Sequence, residues 1–184
     1  MQLKMALPGM KAPDFAGVCN IRDEYSDVSL KDLISKGKWC LLFFYPHDFG
    51  TICPGELMEL NAIKRQLKSL DCKIIGCSTD SAVLHNKFLT QPPNEGGIEG
   101  VTFPIIEDVN GGIAYDYGVM RHDSGYSFRA YFLIDNTGII RARVVGDLPV
   151  ALDIDGLPAK IKRIQEATAK KSWFQEMRDK MKED

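Results

Sequence analysis

No stretch of this 184-residue chain is apolar for long: the longest run, residues 39–45, is far short of the roughly 20 residues that cross a bilayer. Residues 1–15 mix Lys4, Pro8, Gly9 and Lys11 and lack the apolar core of a secretory signal. Neither a membrane nor export is therefore expected, and the chain reads as a cytoplasmic protein of a reducing compartment. Neither sign of charge prevails, with 23 Lys+Arg against 25 Asp+Glu and a net charge of -2. Such a balance sets up no field to draw in nucleic acid, and basic residues gather only near the C-terminus. There is no CxxC, which argues against dithiol–disulfide exchange of the thioredoxin type and against a zinc ribbon. There is also no GxGxxG or GxxxxGK[ST] for nucleotide phosphates. His47, His85 and His122 lack metal-ligand spacing, so neither a metal nor an organic cofactor is expected. Repeats, heptads and low-complexity segments are missing too, and no cysteine follows Cys77.

What is present suits one folded domain. Hydrophobic residues make up 45% of the chain and charged residues 26%, enough apolar material for a single core. Residues 1–169 read as that domain and 170–184 as a helical tail. Residues 38–45 form a buried strand pattern, followed by a helix over 53–70 with Leu57, Leu60, Ile63, Leu67 and Leu70 near helical spacing. A strand over 72–78, a helix over 81–89 and a short strand over 101–106 come next. This β-α-β order predicts an α/β domain, a mostly parallel sheet with helices on both faces. Residues 128–134 and 139–145 flank the turn Asp135-Asn136-Thr137-Gly138, so an antiparallel hairpin makes the sheet mixed. Two helices are predicted after it, one presenting Leu157, Ile161 and Ile164. The other, with Trp173, Phe174, Met177 and Met181 on one face, is expected to pack on its own domain.

The residues from Phe43 to Glu56 hold the chemistry. Pro54 suits a helix's first turn, where its missing N–H has no partner to lose, and this places Cys53 at a helix N-terminus. Unpaired backbone N–H groups and the positive end of the dipole there favour thiolate over thiol. Helix-terminal or cation-paired thiols fall to about 3.5–7.5, from an ordinary value of about 8.5. Cys53 is thus the candidate nucleophile. Cys40, in an apolar strand, reads as a small buried hydrophobe. Cys72 and Cys77, five apart in a strand, point to opposite faces and cannot pair easily, and both read as core. Cys19, between a short N-terminal strand and the charged turn Arg22-Asp23-Glu24, is left open between exposed and buried, with nothing near it to mark a function. His47 beside a cysteine also suggests a Cys-His hydrolase, but no oxyanion loop or third partner is visible.

These residues resemble the peroxiredoxins, thiol peroxidases on a modified thioredoxin fold. Ala12-Pro13-Asp14-Phe15 is similar to the family's opening, Phe43 to Glu56 to its active-site loop, and Ile75-Gly76-Cys77-Ser78-Thr79-Asp80-Ser81 to its next strand and turn. Phe103-Pro104, Asp116-Tyr117-Gly118-Val119, Phe128-Arg129 and Gly146-Asp147-Leu148-Pro149-Val150 follow in family order. The pattern is most similar to the typical two-cysteine subgroup. The resemblance implies Cys53 as the peroxidatic cysteine, Pro46 as the proline that shields it, and Arg129 as the arginine against its sulfur. It implies Glu56 as the carboxylate that orients Arg129. On their own, Arg129 would read as a surface strand arginine and Glu56 as a helix-start acid. The substrate implied is hydrogen peroxide or a small organic hydroperoxide. Homodimers are implied as well, which some members build into rings, with Phe88 at the place of an aromatic often found at the ring contact.

Two departures qualify the resemblance. The family's loop reads PxxxTxxC, or Ser for Thr, whereas here Gly50 takes the hydroxyl position and Thr51 comes one residue late. Loss of one preorganised donor costs on the order of 2.7–4 kcal/mol in a transition state, and Thr51 is its substitute only if Gly50 lets the loop take another path. Restoring threonine at position 50 is expected to raise the rate. The C-terminal resolving cysteine is also absent, which implies a one-cysteine cycle. An external thiol, a thioredoxin-like protein or a small thiol, would reduce the sulfenic acid, in preference to Cys19 of another chain. The rival reading is a weak or inactive homologue serving as redox sensor, holdase-type chaperone or assembly scaffold.

Overall fold

The computed structural model describes residues 5–21, 24–146 and 151–180. Parts of two sequence features, the turn at 22–23 and the segment 147–150, lie outside the described residues, as does Met181. Seven strands form one sheet: β1 (Ala16–Ile21), β2 (Glu24–Ser29), β3 (Trp39–Phe44), β4 (Cys72–Ser78), β5 (Ile105–Glu107), β6 (Arg129–Ile134) and β7 (Ile140–Gly146). Their spatial order is β2-β1-β5-β4-β3-β6-β7. Only two of the six pairings, β3 with β4 and β4 with β5, are parallel, so the sheet is mixed rather than mostly parallel. The reason is local: β1 and β2 form an N-terminal hairpin that joins β5 antiparallel, an element that apolar periodicity around 16–29 does not announce. β2 lies at the sheet edge and is mostly exposed.

Helices cover both faces. On one side α2 (Cys53–Ser69) buries Leu57, Leu60, Ile63 and Leu67 against Leu41, Phe43, Cys72 and Ile74. On the other, Leu30 of α1 (Leu30–Ser35) and Ala114 of α4 (Gly112–Asp116) join Cys40, Leu42, Phe44, Cys77 and Phe132. The alternation of β3 between the two cores explains why all six of its residues are buried. Cys72 and Cys77 fall in opposite cores, as strand alternation requires. α3 (Ala82–Thr90) starts at Ser81, whose Oγ accepts the Leu84 N–H at 3.3 Å.

Three expectations change. The strand over 101–106 shrinks to β5, because Thr102 donates its N–H to Asn61 Oδ1 (3.1 Å) and Pro104 has no N–H for the ladder. In place of two C-terminal helices there is one, α5 (Leu157–Lys180), with neither Gly nor Pro after Pro158 to interrupt it. The boundary between residues 169 and 170 falls inside it. Finally, the far half of α5 does not dock: Leu157 and Ile161 are buried, but Trp173 is 55% exposed, Phe174 57% and Met177 42%.

Candidate active site

Cys53 is the first residue of α2, and Ile52 before it offers no side-chain cap, so the helix's leading N–H groups are free to face the sulfur. The chain arrives there from the C-terminal end of β3. β6 runs antiparallel beside β3, with Ala130 opposite Phe44, and this brings Arg129, the first residue of β6, to the same end of the sheet. Arg129 Nη2 lies 3.5 Å from Cys53 Sγ. Glu56, one turn along α2, sets its Oε2 3.3 Å from Arg129 Nε, and its Oε1 accepts the Leu152 N–H at 2.9 Å. All three side chains are buried. The Glu56–Arg129 contact is held by charge: Glu56 Oε2 and Arg129 Nε and Nη1 have no hydrogen-bond partner among the described residues. Nη1, on the guanidinium that meets the sulfur through Nη2, is therefore a buried donor with no acceptor among the described residues.

Burial pushes the Cys53 thiol up from its ordinary value. Opposing it are first the Arg129 guanidinium, then hydrogen bonds from the His47 and Cys53 backbone N–H groups, while Glu56 adds to the rise. The net direction corrects the expectation of a depressed thiol: Cys53 is 1% exposed, and the desolvation that a closed site imposes outweighs one guanidinium whose charge is shared with a carboxylate. Burial likewise raises Glu56, against the Leu152 N–H and Arg129.

The loop before Cys53 places the other predicted residues. Pro46 is buried, Thr51 exposed, and His47 half-buried with its ring 5.2 Å from that of Tyr126. Phe49, not Gly50, takes the left-handed conformation, with φ 55°. Gly50 is packed closely: a Cβ there would lie 3.1 Å from Cys53 Sγ and 3.1 Å from His47 Cε1. Cys19, left open by the sequence, is buried, with its sulfur 3.3 Å from Ser26 Oγ, because the β1–β2 hairpin turns it inward. All five cysteines are free and buried.

Sequence reasoning misses the network behind the loop. Asp48 accepts from Tyr45 OH at 2.8 Å and pairs with His85 Nδ1 at 2.8 Å, all three side chains being buried. The Asp48 backbone N–H donates to Asp80 Oδ2 at 2.6 Å. His85 comes from α3, 37 residues on, so no local spacing signals the contact. The Leu152 amide on Glu56, 96 residues away, is equally silent in the sequence. Among the described residues no three His, Cys, Asp or Glu side chains gather as a metal cage would need. A groove of about 680 Å³ between the β6–β7 turn and α5 is lined by residues such as Trp39, Arg141 and Gln165 and lies away from Cys53.

Known proteins are similar to this chain over most of its length. The AhpC/TSA family profile matches residues 8–143. Peroxiredoxin-2 of Rattus norvegicus is 35% identical over 147 residues, covering 80% of this chain and 73% of its own. A thioredoxin peroxidase of Echinococcus granulosus is 37% identical over 150 residues, covering 82% and 77%. Among solved structures, a reduced 2-Cys peroxiredoxin of Plasmodium vivax superposes with a TM-score of 0.84 at 32% identity, over 88% of this chain and 83% of that one. AhpC of Enterococcus faecalis gives 0.83 at 30% identity, over 90% and 96%.

Proposed function

The chain belongs to the AhpC/TSA family and is a peroxiredoxin-type thiol peroxidase; from that premise we propose that Cys53 reduces hydrogen peroxide or a small organic hydroperoxide through a sulfenic acid. The sulfur attacks the terminal oxygen of R–O–O–H, the S–O bond forms as O–O breaks, and RO⁻ leaves as alcohol or water once protonated. The observation that carries the reading is Arg129 Nη2 at 3.5 Å from Cys53 Sγ, with Nη1 unpartnered beside it. A guanidinium cannot lose its proton and offers several donors, so it can hold the thiolate and also bond the oxygen on which charge develops. Glu56 orients the arginine, and Pro46 screens the sulfur from water. Thr51 is a poor stand-in for the family's hydroxyl, being exposed where Cys53 is buried.

The cycle we propose uses one cysteine. Cys19, Cys40, Cys72 and Cys77 are each at most 2% exposed, so none presents a thiol to the sulfenic acid, and a thioredoxin-like protein or small thiol must reduce it. Five free thiols suit a reducing compartment such as the cytoplasm. Residues up to 169 carry the chemistry, and the far half of α5, residues 170–180, extends from them as a helical tail. Gly50 favours a second reading, a weak peroxidase serving as redox sensor, chaperone or scaffold, because it contributes no hydroxyl.

Single-turnover peroxide consumption separates the two readings, with Cys53→Ser as control. Wild type should oxidise far faster than a free thiol, and Cys53→Ser should not react. A wild-type rate equal to that of a free thiol would leave only the second reading.

A further inference from the structure

Cys53 is 1% exposed, so a thiol reductant reaches its sulfur only when the loop of residues 46–52 moves aside. The contacts that hold this loop down centre on Asp48. Its carboxylate accepts from Tyr45 OH at 2.8 Å and meets His85 Nδ1 at 2.8 Å. An ionised carboxylate only accepts, so Nδ1 carries the hydrogen of that bond. His85 Nε2 is buried and has no hydrogen-bond partner among the described residues, which commits the ring to Asp48. Two further anchors come from other elements. Asp80, after β4, accepts the Asp48 N–H at 2.6 Å, and Ser127, before β6, donates its hydroxyl to the Tyr45 carbonyl at 3.0 Å. The residue after Asp48 is strained. Phe49 has φ 55°, a left-handed backbone that a bulky residue seldom adopts, and its ring packs on Phe88 of α3 with centroids 4.8 Å apart. Such strain persists only where the surroundings over-determine it, so the loop gains by releasing Phe49 and its anchors on α3 oppose the release.

We propose that Asp48 and His85 are positioning residues of the peroxidase reaction: their contact holds the active-site loop shut and so sets how often Cys53 is presented to its thiol reductant. The proposal rests on the reading of Cys53 as the peroxide-reducing nucleophile. The two halves of the cycle ask opposite things of the loop. A peroxide is small and meets the sulfur closed against Arg129 Nη2, 3.5 Å away. The thiol that reduces the sulfenic acid needs the sulfur uncovered. Asp48 lies in the loop that leads into α2 and His85 on α3, so the pair acts on Cys53 through the loop backbone. A strained loop under a buried hydrogen-bonded clasp can serve both halves, because releasing the clasp frees the sulfur while the two cores stay folded.

Three variants of the full chain test this. His85→Leu removes the donor to Asp48, His85→Asn keeps an N–H near the place of Nδ1, and Tyr45→Phe removes the other hydrogen bond on the same carboxylate. Iodoacetamide labelling resolved by mass reads all five free cysteines in one sample. At a single pH, His85→Leu should speed alkylation of Cys53 by roughly 10- to 100-fold, the scale of one lost hydrogen bond to a charged group. Tyr45→Phe should move it the same way, and His85→Asn should recover most of the difference. Reduction of the Cys53 sulfenic acid by dithiothreitol should quicken in His85→Leu and Tyr45→Phe, while oxidation by peroxide should not rise with alkylation. Cys53 alkylated at the wild-type rate in both of these variants would overturn the proposal, as would reduction by dithiothreitol at the wild-type rate in both. So would a rise shared by all five cysteines in both, the mark of a loosened fold, or one matched by peroxide oxidation, the mark of a more ionised thiol. A wild type no faster than a free thiol toward peroxide would instead overturn the peroxidase reading and leave the opening measurement standing.

Discussion

At Cys53 the cost of burial and the pull of Arg129 oppose each other, and Glu56 decides how much of that pull reaches the sulfur. Two substitutions should therefore move one titration in opposite directions. Arg129→Ala removes the cation and should raise the thiol further. Glu56→Gln removes the competing carboxylate, keeps an acceptor for the Leu152 N–H, and should lower it. Because the thiolate is the nucleophile, the rate of alkylation rises with pH through the thiol's titration, so its midpoint should shift up in the first variant and down in the second. Identical midpoints would refute the pairing. Arg129→Ala should also destabilise the fold by about 3–5 kcal/mol, since Glu56 would stay buried without its partner. Cys53, Glu56 and Arg129 are legible in the sequence because two share a helix start and the third carries a family context. The Gly50–His47 contact is not, because a missing side chain shows in a sequence while the group that fills its space does not. Nor is the thiol's direction legible, because a helix N-terminus is a local feature and burial is set by the whole fold.

Among the elements, the periodic ones match their sequence readings closely. β4 and α2 fall where alternation and helical spacing place them, since both lie against a core. The short elements are less legible. β2 is recognisable only from its pairing with β1, and β5 loses residues to a side-chain bond and a proline. α5 is legible as helix but not as one helix with two environments. Its near half packs Leu157 and Ile161 into the core beneath α2, and its far half carries Trp173 and Phe174 in edge contact with each other, ring centroids 4.9 Å apart. The two halves should respond differently to truncation. Leu157→Ala should cost about 2–5 kcal/mol in denaturant unfolding, whereas Trp173→Ala should stay within about 0.5 kcal/mol. Equal losses would mean that the far half docks in solution.

For the molecule as a whole, the resemblance points to pairing of chains. Phe88, at the place of an aromatic often found at a ring contact, is 0% exposed here and packs on Phe49 with ring centroids 4.8 Å apart. It supports the active-site loop from within the chain and offers no free surface to a neighbour. Light scattering should therefore report a dimer that does not grow into rings with concentration. A ring would require α3 to shift and Phe49 to lose that support. The two cores follow from apolar patterning and the hairpin between β6 and β7 from its turn sequence, which is why the fold class is legible even where the direction of every strand is not.

The distribution of the five thiols through the sheet gives the fold a set of internal markers. Cys40 and the pair Cys72 and Cys77 sit on β3 and β4 in the middle of the sheet, Cys19 on β1 one strand from an edge, and Cys53 on the first turn of a helix. Openings of increasing extent release them in turn: fraying of one helical turn frees Cys53, detachment of the N-terminal hairpin frees Cys19, and only dissolution of the central strands frees the other three. Mass-resolved thiol labelling thus becomes a ruler of cooperativity, reading without added probes how far the active site can open before the scaffold beneath it gives way.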